Sequence, residues 1–269
     1  MIQLFSAIGV FLLSLSGMAY SADMVYEAMA SRTPPVLDGI LDEPVWQDAK
    51  TDTLAFRWEG GSNPEPPTAE DLSVTFQATW CDSTNRLYVA VQVQDDVIAD
   101  HFADPLASYY TDDGVEVFLD PDHSGGDHKY SFNAFAYHVS LFGDAIDLGA
   151  DGKATNLRDH IGLGLGENKK TWEIAFVLYR EYSHDGNSEN DEILDIAAGD
   201  KIGFSIAYND NDGTPGNRES MVGWVPDGGD SWITADRFGT LRFVPAPETA
   251  AIKGSWGGAK KAVLRAQEK

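Results

Sequence analysis

The sequence predicts an all-β protein, an antiparallel β-sandwich. Eight runs have strand composition, turn residues separate them, and no long helical period runs through the chain. That combination argues for two packed sheets.

The elements follow in order. Residues 1–21 carry no charged side chain, hold an apolar run from Ile8 to Leu15, and end in the small-x-small triplet Ala19-Tyr20-Ser21. This is the pattern of a secretory signal peptide, and the run is shorter than the ~20 apolar residues a membrane span needs. The mature protein is then expected outside the cytoplasm, periplasmic or extracellular, with no membrane insertion. Residues 22–33 read as a short leader before a domain over 34–245. The stretch "PPVLDGILDEPVWQDA" reads as an extended segment, a glycine turn and one helical turn that anchors Trp46. "EGGSNPEPPTAED", 59–71, is a loop. The strand-like runs are 72–80, 86–95, 114–120, 129–141, 171–179, 201–210, 219–225 and 238–244. Residues 187–199 have room for a short helix, and "GLGLG", 162–166, is no dinucleotide fingerprint because no helix pattern follows it. From residue 246 the composition turns basic, which reads either as a disordered tail or as a segment that docks to a partner.

Composition excludes some partners. A formal net charge of −24 repels nucleic acid and anionic membrane, and suits neutral ligands and divalent cations. The single cysteine, Cys81, permits no internal disulfide, so burial, alone or with metal, must hold the fold. Cys81 follows Val74, Phe76, Ala78 and Trp80 and reads as structural.

Carboxylates crowd the loops: Asp95-Asp96, Asp112-Asp113, Asp120 with Asp122, and Asp210 with Asp212. Calcium takes six to eight hard oxygens, and such loops can supply them. Asp and Asn also favour turns for local reasons. Asp120, Asp122, Asp210 and Asp212 are the candidate calcium ligands. The six histidines have no zinc spacing.

Among the seven tryptophans, Trp46, Trp80 and Trp172 read as core and Trp224 is ambiguous. Trp58 and Trp232 fall in Gly- and polar-rich stretches, where a core role is not expected. In "DDGVEVFLDPD", 112–122, Val115, Val117 and Leu119 alternate with Glu116, Phe118 and Asp120. The first set should face the core and Glu116 should point away from it. Its face is then either an ordinary solvated surface or one side of a ligand site.

"PVLDGILDEPVWQDA", "DDGVEVFLDPD", "GFSIAYNDNDG" and "WVPDGGDSW" followed by "FGTLRF" together resemble the family 9 carbohydrate-binding modules. Order and spacing match over roughly residues 34–244. The resemblance implies an immunoglobulin-like β-sandwich that binds a glycan without catalysis, with calcium as a structural ion. It implies two aromatics enclosing a terminal sugar, which fall on Tyr110, with Tyr109 as neighbour, and on Trp232, with Asp230 in the same turn. The glutamate of the site falls on Glu116. A basic sugar-contacting residue would fall at Ser131, where this chain has none. Two other classes stay open: a haem-binding electron-transfer sandwich, with Met221 and His138 as axial ligands, and a glycoside hydrolase or structural surface module. No motif pairs two carboxylates for hydrolysis.

Overall fold

A computed structural model describes residues 24–59, 67–149, 151–183, 190–226 and 229–247. The expected signal peptide and residues 248–269 of the basic tail lie outside the described residues. Sixteen strands are described: β1 (Val25–Ala30), β2 (Asp52–Thr53), β3 (Phe56–Glu59), β4 (Leu72–Cys81), β5 (Arg86–Asp95), β6 (Gly114–Asp120), β7 (Phe135–Ser140), β8 (Ala145–Leu148), β9 (Ala154–Asn156), β10 (Ile161–Leu165), β11 (Thr171–Phe176), β12 (Tyr179–Glu181), β13 (Glu192–Ile193), β14 (Lys201–Asp210), β15 (Ser220–Gly223) and β16 (Gly239–Val244). One α-helical turn, α1 (Pro44–Asp48), carries the buried Trp46. Among the described residues no helix is long and apolar enough to cross a membrane.

Hydrogen bonding runs β10-β11-β5-β4-β1-β16-β14-β6-β7-β8-β9, with β2 added to β4, β15 to β14 and β3 to β15. The path folds over on itself. Phe76 of β4 meets Phe204 of β14 at 5.8 Å, and Tyr137 of β7 meets Phe176 of β11 at 5.4 Å. Two layers therefore face each other across one core, which is a β-sandwich. The seam is β1. It pairs parallel with β16 along Val25–Met29 and with β4 at Met29 and Ala30. Residues 25–30, expected as leader, are thus part of the fold, with Tyr26 and Ala28 fully buried. The Tyr26 hydroxyl accepts from Ala78 N at 2.8 Å, so this strand is tied to β4 by a side chain as well.

Other expectations shift. Only Phe135–Ser140 of the run 129–141 is a strand, because residues 128–131 are pinned as a turn. His128 N and Lys129 N both donate to Ile233 O, at 2.9 and 3.2 Å. The described part of 187–199 holds the short strand β13, and "GLGLG" falls largely on β10. A Cβ on Gly164 would lie 2.2 Å from the Leu37 carbonyl carbon, so this edge strand lets the segment before α1 cross at backbone contact. Trp58 is core after all. It lies on β3, is buried, and donates from Nε1 to Val225 O at 2.7 Å. Its indole occupies the space a Cβ on Gly223 would need.

Candidate functional site

The face of β6 that alternation turns away from the core is also buried. Val115, Val117 and Leu119 point inward as expected, yet Glu116 is only 1% exposed. The solvated-surface reading therefore fails, because other chain segments cover this face. Glu116 lies directly opposite His138 on β7, and β14 brings Asn209 alongside. Oε1 of Glu116 accepts from Asn209 Nδ2 at 2.6 Å, meets His138 Nε2 at 2.9 Å, and has Arg218 Nη1 at 3.5 Å. Arg218 also donates to Asn209 Oδ1 at 2.7 Å and pairs with Glu59. All three contacts fall on Oε1.

These partners decide the charge state. Burial pushes the Glu116 carboxyl up, but the His138 and Arg218 charges and the Asn209 bond outweigh it and hold the group below its ordinary value. Burial pushes His138 down, and the Glu116 charge outweighs that, so its net shift is upward. Behind them Asp147, on β8, is pushed up by burial to about 7, although Ala136 N and Leu148 N donate to it.

Rings wall this carboxylate into a cavity of about 470 Å³. That volume suits a small ligand. Tyr109, Tyr110, Glu116 and Trp232 all line it, so four of the five expected ligand residues converge. Tyr110 and Trp232 are the exposed ones, at 49% and 39%. Tyr109 meets the His138 ring edge-on at 4.8 Å. The fifth, Asp230, is not a lining residue. It pairs with Arg237 at 3.4 Å, and its carbonyl accepts from Ile233 N and Thr234 N, so it builds the turn that presents Trp232. Ser131 bonds His128 O at 3.2 Å, and the basic groups of the cavity come instead from Arg218 and His138. Arg218 gave little signal in sequence, being one arginine in the loop before β15. Met221 and His138 share the cavity, but the haem reading loses its ligand. His138 Nδ1 faces the carbonyls of Ala136 and Ile146 at 3.1 and 3.3 Å, and Nε2 faces Glu116, so neither nitrogen has a lone pair for iron.

The expected calcium ligands separate into two places. Asp120 pairs with Gly203 at one end of the β6–β14 ladder, and Asp210 follows Asn209 at the other. Asp120 accepts from Gly125 N at 2.8 Å and Asp122 from Ser124 N at 2.9 Å, which makes them turn formers. At the far end Asp210 joins Asp95 and Asp113, all buried, with carboxylate oxygens within 4.8 Å of one another. Asp212 joins Asp71 and Asp96 in a second group of the same spacing. Burial pushes Asp113 up to about 8, Asp210 to about 7 and Asp95 to about 6, and the neighbouring carboxylates add to each shift. Neutral donors hold them: Asp95 accepts from Val97 N and the Tyr208 hydroxyl, Asp113 from Ala99 N and Asn211 N, and Asp210 from Ser220 Oγ.

A comparison with curated proteins gives no match. Among solved structures the chain is similar to a carbohydrate binding module family 9 (CBM9) from Caldicellulosiruptor kristjanssonii in complex with cellotriose, at 17% identity and a TM-score of 0.57 over 85% of this chain and 98% of that one. A CBM9 from the same organism in complex with glucose gives 17% identity and a TM-score of 0.56 over 84% and 99%. These likenesses support the sandwich fold. Residues 37–245 match the family described as "Carbohydrate family 9 binding domain-like". On that match over most of its length, the chain belongs to the family 9 carbohydrate-binding modules, which are non-catalytic.

Proposed function

We propose that the protein is exported and holds the end of a glycan chain in the cavity around Glu116, with calcium bound as a structural ion at the far end of the same strand pair. The observation that carries the glycan reading is the convergence of Tyr109, Tyr110 and Trp232 on one carboxylate. A pyranose presents an apolar C–H face and a rim of hydroxyls. Rings pack on the face, and a charged acceptor takes hydrogen bonds from adjacent hydroxyls. Arg218 and His138 keep that acceptor ionised, so it does not titrate away under the sugar. The cavity volume of about 470 Å³ suits a small ligand, and a chain end is the part of a glycan we assign to it.

Calcium fits the residues present. Asp95, Asp113 and Asp210 offer hard oxygens from three separate elements, and Asp212 with Asp71 and Asp96 extends the set. Bound there, the ion supplies positive charge to three buried carboxylates whose mutual repulsion, among the described residues, only Lys170 at Asp95 partly offsets.

Calorimetry with cellotriose and glucose tests the glycan reading. Binding to the parent should be lost or weakened by at least tenfold in Trp232→Ala while the far-ultraviolet spectrum stays that of the parent. Equal binding by both proteins would place the site elsewhere. N-terminal sequencing of the exported protein should begin near Ala22, and a retained Met1 on a cytoplasmic product would remove the export assignment.

A further inference from the structure

Resting on the glycan reading of the cavity, we propose that His138 is a fixed imidazolium that positions Glu116 for the sugar, so that glycan affinity falls as pH rises above neutrality. The argument begins with what the ring nitrogens face. Nδ1 lies 3.1 Å from Ala136 O and 3.3 Å from Ile146 O, and a carbonyl oxygen only accepts. Nε2 lies 2.9 Å from Glu116 Oε1, and an ionised carboxylate also only accepts. A neutral imidazole has one N–H and one lone pair. Whichever nitrogen carried the lone pair would turn it on an oxygen. Only the doubly protonated ring satisfies all three acceptors.

The ring cannot swing away to escape this. Its side chain is 12% exposed, β8 supplies one carbonyl, and the Tyr109 ring packs on it at 4.8 Å. The groups that face it are Glu116 from β6, Asp147 from β8, Tyr109 from the loop before β6, and Arg218 reaching the far side of Glu116. Glu116 and Asp147 favour the cation, while Arg218 opposes it. Tyr109 is neutral over the working range, since burial pushes its hydroxyl up to about 12. Asp147, at about 7, ionises as pH passes neutrality and adds negative charge beside the ring. The imidazolium therefore persists past the ordinary histidine value of about 6.5. Its bond to Glu116 is fully present below that value and is lost as pH rises through the raised one. Once the proton leaves, a lone pair faces Glu116 or the two carbonyls, and the carboxylate loses the partner that aims it.

The test combines two measurements on the intact protein. Cellotriose titrations from mildly acidic to alkaline pH should show constant affinity through neutrality, then a loss on the order of tenfold as the charged bond disappears. His138→Gln should bind more weakly and with no such pH slope. Nitrogen NMR of the parent's imidazole should show both ring nitrogens protonated at pH 7. A His138 resonance pair typical of a neutral tautomer at pH 7 would overturn the proposal. So would a pH slope in His138→Gln equal to the parent's. The NMR readout keeps its force if the variant fails to fold. It also separates the two readings: a parent that binds no glycan but shows the imidazolium loses the glycan function and keeps the charge state.

Discussion

Two buried glutamates sit on the outer faces of the two layers, and they do different work. Glu116 interrupts "GVEVFLD" and Glu173 interrupts "TWEIAF", each flanked by residues that point into the core. Both are essentially inaccessible, at 1% and 0%. Glu173 accepts only neutral donors: Asp38 N at 3.1 Å, Gly39 N at 2.8 Å and Trp46 Nε1 at 2.9 Å. All three belong to the segment that closes over β11 and β5, so this carboxylate staples the chain to itself. Glu116 is held by an amide and two cations, beneath rings that enclose an open cavity. The electrostatics follow: burial outweighs neutral donors and raises Glu173, while ionic partners lower Glu116. The pair teaches that a buried glutamate on a strand reports a covered face, and that the nature of the cover decides between structure and binding.

The largest effect should come from breaking the staple. Glu173→Leu leaves the buried Gly39 N and Trp46 Nε1 without acceptors, at about 1–3 kcal/mol each, while Asp38 N keeps its second acceptor, Val36 O. Chemical denaturation should show a stability loss of about 2 kcal/mol or more, with cellotriose affinity unchanged in the protein that remains folded. A variant that keeps its stability but loses the sugar would reverse the roles assigned to the two glutamates.

A third set of buried carboxylates has neutral donors but crowds its own charges. Asp95 accepts from Val97 N and the Tyr208 hydroxyl, Asp113 from Ala99 N and Asn211 N, and Asp210 from Ser220 Oγ, while their carboxylate oxygens lie within 4.8 Å of one another. Their raised values mean that, without metal, the folded state keeps protons the unfolded state has already released. Stability of the metal-free protein should therefore fall as pH rises from the ordinary carboxylate range through about 8. Calcium at about 100 times its dissociation constant should restore about 2.7 kcal/mol by mass action. Melting curves with chelator and with calcium across pH 5–9 read both effects. Identical curves would leave these groups as protonated core residues.

Glu116→Gln comes next. The amide keeps the shape but loses the charged acceptor, which costs about 2 kcal/mol of affinity for a charge-assisted hydrogen bond. Calorimetry should show a weakening of about thirtyfold with stability reduced far less than in Glu173→Leu. Unchanged binding would mean the sugar sits on the rings alone.

Much of this fold was legible in the chain, and particular residues show why. Alternation placed Val115, Val117 and Leu119 in the core, and the runs 86–95, 114–120 and 201–210 coincide with β5, β6 and β14. β1 was not legible, because "VYEAMA" has two alanines, a methionine and a glutamate and gains its place by parallel pairing with a distant strand. At the candidate site, Tyr110, Glu116 and Trp232 were expected from a family resemblance, and they line one cavity. His138, Asn209 and Arg218 were not, since which residues face Glu116 depends on strand register, and a period of two leaves register open. The same limit split the expected calcium ligands: Asp120 and Asp210 lie on paired strands but at opposite ends.

The smallest expected effect tests how the two covers are held. The cover over Glu173 is backbone fixed by its own hydrogen bonds, whereas the cover over Glu116 is side chains that need support. Lys129 supplies it for one of them. Its Nζ lies 3.8 Å from the centre of the Trp232 ring and 5.0 Å from that of Tyr130. Tyr130 itself holds a left-handed backbone, φ 64°, a conformation that aromatic residues rarely adopt. The strain is maintained by the turn that pins residues 128–131 to Ile233, next to Trp232. An exposed cation–π contact contributes about 0.5–1 kcal/mol. Lys129→Gln should accordingly weaken cellotriose binding by about two- to fivefold, leave stability near the parent's, and be rescued by Lys129→Arg, whose guanidinium stacks on the same ring. A loss as large as that of Trp232→Ala would mean that the ammonium touches the sugar itself, and the ring would then be one half of a two-residue contact instead of a wall that the lysine steadies.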